Sequence, residues 1–380
     1  MNKTIYKYLF YEFIRYFSAT LFALAAIVWA VQAVNYLDLI TEDGHALTVY
    51  FLYSLLTLSK ILTKLIPFCF LIATVLTISK LEKDNELITL WTSGLNKIYI
   101  VNHFIRVSLL VMFLQFILTT ALNPTLLNFS RSLLKNSQLK FVSSMFKEKK
   151  FNDTVEGLTI FVDKKNKNNT YNNIFIRDDS SVLSSVGTVS STIIAKSGYI
   201  SEDEKYLILL NGNIQKLNPN GDINIVKFEK TSFNLSGIST KTISLPKIQE
   251  TSTIKIIQCI QNINMHRNID MDMHNCTPTE KTRINIKIEI NKRLGMPFFI
   301  PLIALVCCFL LGSRKDKKID NYNIYIYSFI GFVILVLAEI AVRYSGISWN
   351  HTAIYYLIPI GMIPLFYLAL IRKFKYENLH

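Results

Sequence analysis

The sequence predicts a membrane α-helical bundle of six spans with an all-β, jellyroll-like domain inserted between the third and fourth spans. Three observations predict it. Long apolar segments lie before residue 123 and again after residue 295, and the stretch between them is polar. That middle stretch carries short runs of β-branched and aromatic residues punctuated by Gly and Asn, the signature of strands and turns. Hydrophobic residues make up 51% of the chain and charged residues only 18%, while the net charge of +14 gathers largely at the ends of the apolar segments, where it orients a membrane protein.

The first span is Phe17 to Leu37. Lys3, Lys7 and Arg15 precede it, and no small-residue cleavage pattern follows, so the sequence predicts a retained span rather than a removed signal. Leu47 to Ser79 is apolar apart from Lys60 and Lys64. As one helix it would rise about 50 Å, more than a hydrocarbon core of about 30 Å needs. Ile61 to Ser79 is therefore read as the second span and Leu47 to Lys60 as an outer extension. Span three is Ile98 to Leu122, span four Met296 to Gly312, span five Ile324 to Val342 and span six Thr352 to Ile371.

The short loops give the orientation. Lys3, Lys7 and Arg15, then Lys80, Lys83, Lys97 and Arg106, then Arg314, Lys315, Lys317 and Lys318, then Arg372, Lys373 and Lys375 all fall on one side of a six-span chain. The loop Asp38 to His45 on the other side is acidic. The positive-inside rule places both termini in the cytoplasm and the β domain outside, which is the periplasm if the cell is Gram-negative. The predicted domains are residues 1–122, with a cytoplasmic helix at about 82–95, then 123–293 and 294–380.

In the outer domain, strands are expected at Gly157 to Asp163, Tyr171 to Asp178, Ser191 to Ala195, Tyr206 to Asn211, Ile214 to Leu217 and Ile223 to Phe228. Turns are expected at Ser197-Gly198, Asn211-Gly212 and Pro219-Asn220-Gly221, and helical flanks at Asn123 to Phe146 and Glu280 to Arg293. Cys69, Cys307 and Cys308 lie in apolar segments and read as core residues. Cys259 and Cys276 lie in the polar block and can pair if that block meets an oxidising compartment.

Chemistry is sparse. No G-x-x-x-x-G-K-[ST], H-E-x-x-H or G-x-S-x-G occurs, so no catalytic group, metal or cofactor is assigned, and any ATP would be bound by another chain. His266, Asp270, Asp272, His274 and Cys276 are metal-ligand types at a spacing that fits no compact site, and read as a solvated loop. No basic stripe with interleaved aromatics points to nucleic acid. Within the spans, Gln32, Asn35, Glu339 and Arg343 are candidate walls of a lipid cavity, with Arg343 as a phosphate contact. A self-satisfied Glu339–Arg343 pair, four residues apart, is the competing account. Between spans two and three, Leu87, Leu90, Trp91 and Leu95 make one apolar helix face, acidic residues crowd the first turn, and Gly94 sits where the helix can end left-handed. Such a helix either anchors the loop among lipid headgroups or docks into a separate motor subunit.

The string Glu86-Leu87-Ile88-Thr89-Leu90-Trp91-Thr92-Ser93-Gly94-Leu95 resembles the ELxxLxxSG coupling-helix segment of the LptF/LptG permeases of the lipopolysaccharide export ABC transporter. Ala195 to Asn213, with its Leu-Asn-Gly, and Glu289 to Pro297, an E-x-x-x-R-x-x-x-P pattern, are similar to that family's segments too, nearer LptF than LptG. The resemblance implies an inner-membrane permease that passes lipopolysaccharide to periplasmic jellyroll bridge proteins. It implies a cytoplasmic ABC ATPase dimer and a second six-span permease as partners, and a lipid cavity between first and fifth spans. It also implies ATPase coupling through Glu86, Leu87, Leu90, Trp91 and Gly94, with Glu86 meeting a basic residue of the ATPase. The rival readings are a membrane scaffold or sensor with an envelope-binding domain, a membrane enzyme, and an ABC permease for another lipid or a lipoprotein.

Overall fold

The computed structural model describes residues 2–41, 45–137, 146, 148–155, 157–166, 170–179, 190–201, 206–217, 222–234, 247–264, 276, 279–312 and 317–377. The chain divides into two compact units. Met1–Ala30, Thr57–Asn128 and Lys247–His380 form the first; Val31–Leu56 and Phe129–Pro246 form the second. Six helices among the described residues are long and apolar enough to cross a membrane: Thr4–Thr41, Leu47–Lys83, Lys97–Leu134, Glu280–Leu311, Tyr322–Tyr344 and Trp349–Lys375. With the β-sheet inserted between the third and fourth, the fold is a helical membrane bundle carrying an inserted β domain.

The helices are α1 (Asn2–Asn35), α2 (Asp38–Thr41), α3 (Leu47–Lys83), α4 (Glu86–Thr92), α5 (Lys97–Ile117) and α6 (Asn123–Ser137), with a π turn at Leu118–Leu122 joining the last two. After the sheet come α7 (Thr253–Asn264), α8 (Glu280–Gly295), α9 (Phe299–Cys308), α10 (Lys317–Tyr344) and α11 (Trp349–Glu377). The side chain of Asn96 caps α5 by accepting from Ile98 N at 3.1 Å. Every residue of α9 is buried, so it forms the centre of the first unit, packed with Phe13, Phe70, Ile78 and Phe104. Helices in lipid gain little from hydrophobicity against one another, so shape and interhelical hydrogen bonds must set their arrangement.

Prolines supply those bonds. A proline has no N–H, so inside a helix it orphans the carbonyl four residues earlier. An orphan carbonyl within a membrane needs another donor. Pro67 lies inside α3 and leaves Thr63 O; Gln115 Nε2 of α5 donates to it at 2.7 Å. Pro297 follows α8 and leaves Arg293 O; Thr119 of the π turn shares its hydroxyl proton between that carbonyl and Gln115 O, each at 3.0 Å. Pro124 opens α6 and leaves Thr120 O; Thr253 Oγ1 of α7 donates to it at 2.6 Å. The π turn sits where the Pro124 ring crowds that same carbonyl.

The second unit holds a six-stranded antiparallel sheet in sequence order, β1 (Asn152–Val155), β2 (Leu158–Lys165), β3 (Thr170–Asp178), β4 (Ser190–Ile200), β5 (Tyr206–Leu217) and β6 (Ile223–Asn234). One face buries Phe146, Leu158, Ile160, Val162, Ile174, Ile176, Ile193 and Ala195. Sequence patterning places turns at Ser197-Gly198 and Asn211-Gly212, but both pairs lie inside strands, β4 and β5. They belong to a crease. The ladder skips the row Asp163, Asn173, Lys196, Asn211 and Glu229 while keeping one register on either side. Asn173 and Asn211 both have φ 50, a left-handed conformation that Asn tolerates. Across the crease the buried set changes phase, from Ile174 and Ile176 to Tyr171 in β3 and from Ala195 to Gly198 in β4. A Cβ on Gly198 would lie 2.7 Å from Ile174 Cδ1 and 2.8 Å from Leu209 Cδ2, so glycine there is a packing requirement. The turn expected at Pro219-Asn220-Gly221 lies outside the described residues.

The polar segment before span four contains an amphipathic helix that the sequence reading leaves as linker. In α7, Ile256, Cys259, Ile260 and Ile263 face Ile286 and Ile290 of α8. Cys259 and Cys276 form a disulfide; Cys69, Cys307 and Cys308 are free and buried. Thiol labelling of the denatured, unreduced protein is expected to modify three cysteines, and all five after reduction. Five labelled cysteines before reduction would contradict the disulfide.

Candidate functional site

Two regions of the first unit place chemistry-bearing side chains together. One is the short helix α4. It starts after Asn85, whose φ of 57 breaks the continuity with α3, and it ends at Gly94, whose φ is 82. Gly94 N donates to Trp91 O and Leu95 N to Leu90 O, the paired bonds that close a helix on a left-handed residue. Leu87 is buried, and Leu90 and Trp91 pack against the same interior cluster. Lys97 Nζ lies 5.5 Å from the Trp91 ring centre and 5.6 Å from that of Phe374 on α11, a cation held between two aromatic faces. The predicted apolar face is thus used within the chain. The side turned outward carries Ile88, 59% exposed, with Thr89, Thr92, Ser93 and Gly94. Glu86 accepts a hydrogen bond from Tyr8 Oη of α1 at 2.9 Å.

The other region is a cavity of about 180 Å³ bounded by α3, α5, the π turn, α8 and α10. Four cations line it: Lys60, Lys64, Lys292 and Arg293. Lys292 pairs with Glu339 at 2.6 Å, and Arg293 with Glu289 at 3.0 Å. Lys60 and Lys64, four apart on α3, meet no carboxylate at ion-pair distance among the described residues. Like charges at that spacing repel, and the cavity favours an anion that neutralises them. Pro67, Thr63 and Gln115 form part of the wall, so the proline inside α3 and the glutamine that supplies the missing donor also shape the cavity. Gln115 is 1% exposed, and its Oε1 has no hydrogen-bond partner among the described residues.

Arg293 is the most heavily bonded side chain here. Besides Glu289, it donates through Nη1 to Thr251 O and Thr253 Oγ1, at 3.0 and 2.9 Å, and through Nη2 to Ile248 O and Gln249 O, at 3.3 and 3.1 Å. It is 3% exposed and fully satisfied, so it fastens the segment Ile248–Thr253 to α8. The spacing Glu289, Arg293, Pro297 is visible in the sequence, but its purpose needs acceptors some forty residues earlier along the chain.

The sequence-predicted cavity residues part company. Glu339 lines the cavity, bound to Lys292 rather than to Arg343. The alternative Glu339–Arg343 pair does not form: Lys292 of α8 holds Glu339, and Arg343 is exposed. Gln32 and Asn35 lie in the second unit, where Gln32 Oε1 is 3.5 Å from Tyr36 Oη and Asn35 is exposed. His266, Asp270, Asp272 and His274 lie outside the described residues. Lys60, Lys64, Lys292 and Arg293 were not among the predicted site residues, although two lysines interrupting an apolar segment were a readable signal.

Comparison with known proteins gives two findings. Residues 7–373 match the family described as Lipopolysaccharide export system permease LptF/LptG. The chain is 28% identical over 223 residues to the uncharacterized protein RP871 of Rickettsia prowazekii (strain Madrid E). That match covers 58% of this chain and 60% of the relative's length.

Replacing Arg293 by methionine leaves Glu289 and four acceptors without their donor. It is expected to cost about 3–5 kcal/mol, read as a large fall in the thermal unfolding midpoint in detergent. Tyr355→Phe is the contrast. The Tyr355 hydroxyl is buried without a partner among the described residues, so its removal is expected to be neutral or stabilising. An unchanged midpoint for Arg293→Met, or a large fall for Tyr355→Phe, would contradict these assignments.

Proposed function

The chain belongs to the LptF/LptG family of lipopolysaccharide export permeases, and on that premise we propose that it is one permease half of an ATP-driven extractor of lipopolysaccharide, nearer LptF than LptG. It is a multi-pass protein of the inner membrane. In this reading a cytoplasmic ABC ATPase dimer docks on α4, and a second, similar six-span permease completes the lipid path. The inserted β domain hands the lipid to periplasmic jellyroll proteins.

The observation that carries the reading is α4 itself. It is a short helix between two spans, closed by left-handed residues at both ends and anchored inward by Leu87, Leu90 and Trp91. Its opposite side is left facing out, and a load applied there enters the bundle through packed side chains. Glu86, at its first turn, retains a second carboxylate oxygen for a basic residue of the motor. The disulfide supports the orientation: Cys259–Cys276 suits an oxidising compartment, while the lysine-rich short loops belong on the opposite side.

The cavity supplies the lipid contact. Lys60, at the outer end of the second span, and Lys64, one turn inside it, have no carboxylate at ion-pair distance among the described residues, and a phosphate of the glycolipid would neutralise them. Arg343 in the first unit, and Gln32 and Asn35 in the second, are each proposed as separate lipid contacts. No bond in the lipid is made or broken; transport follows from a difference in cavity affinity between motor states.

Affinity purification from native membranes tests this. The chain is expected to bring down a P-loop ATPase and a second six-span protein, and Glu86→Lys to reduce recovery of the ATPase by about tenfold or more. The same preparation is expected to carry phosphorylated glycolipid, and less of it in Lys60→Gln/Lys64→Gln. A chain recovered alone contradicts the reading, and unchanged lipid removes the two lysines from the contact. A non-transporting scaffold would ignore Glu86→Lys.

A further inference from the structure

Tyr8 and Glu12 lie four apart and share one face of α1. Tyr8 Oη donates to Glu86 Oε1 at 2.9 Å, and Glu12 Oε1 holds Lys80 Nζ at 2.9 Å. Lys80 is in the last turn of α3 and Glu86 opens α4. One turn of the first span therefore bridges both sides of the Asp84-Asn85 junction. That junction is where a hinge would be placed, because Asn85 has φ 57 and a single residue absorbs the change of direction. Beside it, the Tyr6 ring stacks on His103 of α5 with ring centres 5.1 Å apart, which fixes this turn of α1 against the third span.

We propose that Tyr8 is a positioning residue that ties the coupling helix to the first span through Glu86, so that a push received by α4 is delivered to α1. This rests on the reading of α4 as the motor's docking helix. Without the tie, α4 stays seated through Leu87, Leu90 and Trp91, but its first turn at Glu86 can yield at Asn85, and that part of the push is lost to α1. With it, the carboxylate of Glu86 serves two neighbours: one oxygen takes the Tyr8 proton, and the other is left for a cation of the motor. The Glu12–Lys80 pair holds the α3 side of the junction, so the tie to α4 acts against a fixed frame. The Tyr8 bond is exposed, so its loss leaves the fold intact.

Tyr8→Phe removes only the hydroxyl. In the complete complex, reconstituted in proteoliposomes containing lipopolysaccharide, it is expected to keep co-purified ATPase and ATP hydrolysis within about twofold, while glycolipid released per ATP falls about fivefold or more. Tyr11→Phe, on an exposed neighbour in the same helix, is expected to leave that ratio unchanged. A Tyr8→Phe complex with the wild-type ratio overturns the proposal alone. So does one that loses the ATPase, since Tyr8 would then act in docking. A wild-type preparation without any ATPase overturns the function reading and this proposal with it.

Discussion

Three carbonyl groups that prolines leave without a donor organise the first unit. Pro67, Pro124 and Pro297 withhold the N–H that Thr63, Thr120 and Arg293 would otherwise receive, and Gln115, Thr253 and Thr119 replace it. Gln115 and Thr119 are four apart, so one face of the third span repairs both the second and the fourth. Thr253 accepts from Arg293 while donating to Thr120, which closes the set into one network. Interhelical hydrogen bonds of this kind contribute about 0.6–2 kcal/mol each in a bilayer. Their larger effect is directional: each fixes the height of one helix against another, which apolar packing alone leaves free.

The cavity follows from that network. Pro67 and Thr63 of α3 and Gln115 of α5 line the space together, and Lys60 and Lys64 on α3 give it its charge. The Arg293 fastening then holds Gln249 at its rim and the disulfide-linked α7 beyond. At the other functional region the logic is the reverse. Around α4 the strong contacts are apolar and aromatic, from Leu87 to the Trp91–Lys97–Phe374 stack; the polar link at Glu86 is exposed, and the one at Lys80 reaches the buried Glu12. On the proposed function, a rigid polar block would serve the lipid contact and a packed but adjustable α4 would serve docking of a separate motor.

Spans and strands were legible because each has a period that one segment carries by itself. The six apolar runs and most strand positions need nothing beyond their own residues. What failed needed a partner distant in sequence. Asn211-Gly212 has the composition of a hairpin turn, yet it is a crease within β5, because a row of neighbours across the sheet bends together there. Arg343 was the natural partner of Glu339 at four residues' distance, but Lys292 takes that carboxylate. The apolar face of α4 was legible from Leu87, Leu90 and Trp91; which way it points was not, since an inward and an outward face read alike. Lys60 and Lys64 were noted only as interruptions of a span, because the cavity they line is completed by residues of α8 and α10.

The network's premise is that Gln115 stands in for a missing proline N–H, and a double-mutant cycle measures this directly. Gln115→Leu alone orphans the Thr63 carbonyl and is expected to destabilise the chain by about 1–3 kcal/mol in detergent. In a Pro67→Ala background the helix regains its own N–H, and the same substitution is expected to cost less than about half as much. Equal costs in both backgrounds would show that Gln115 is not repairing Pro67, and the account of how the cavity is built would have to be abandoned.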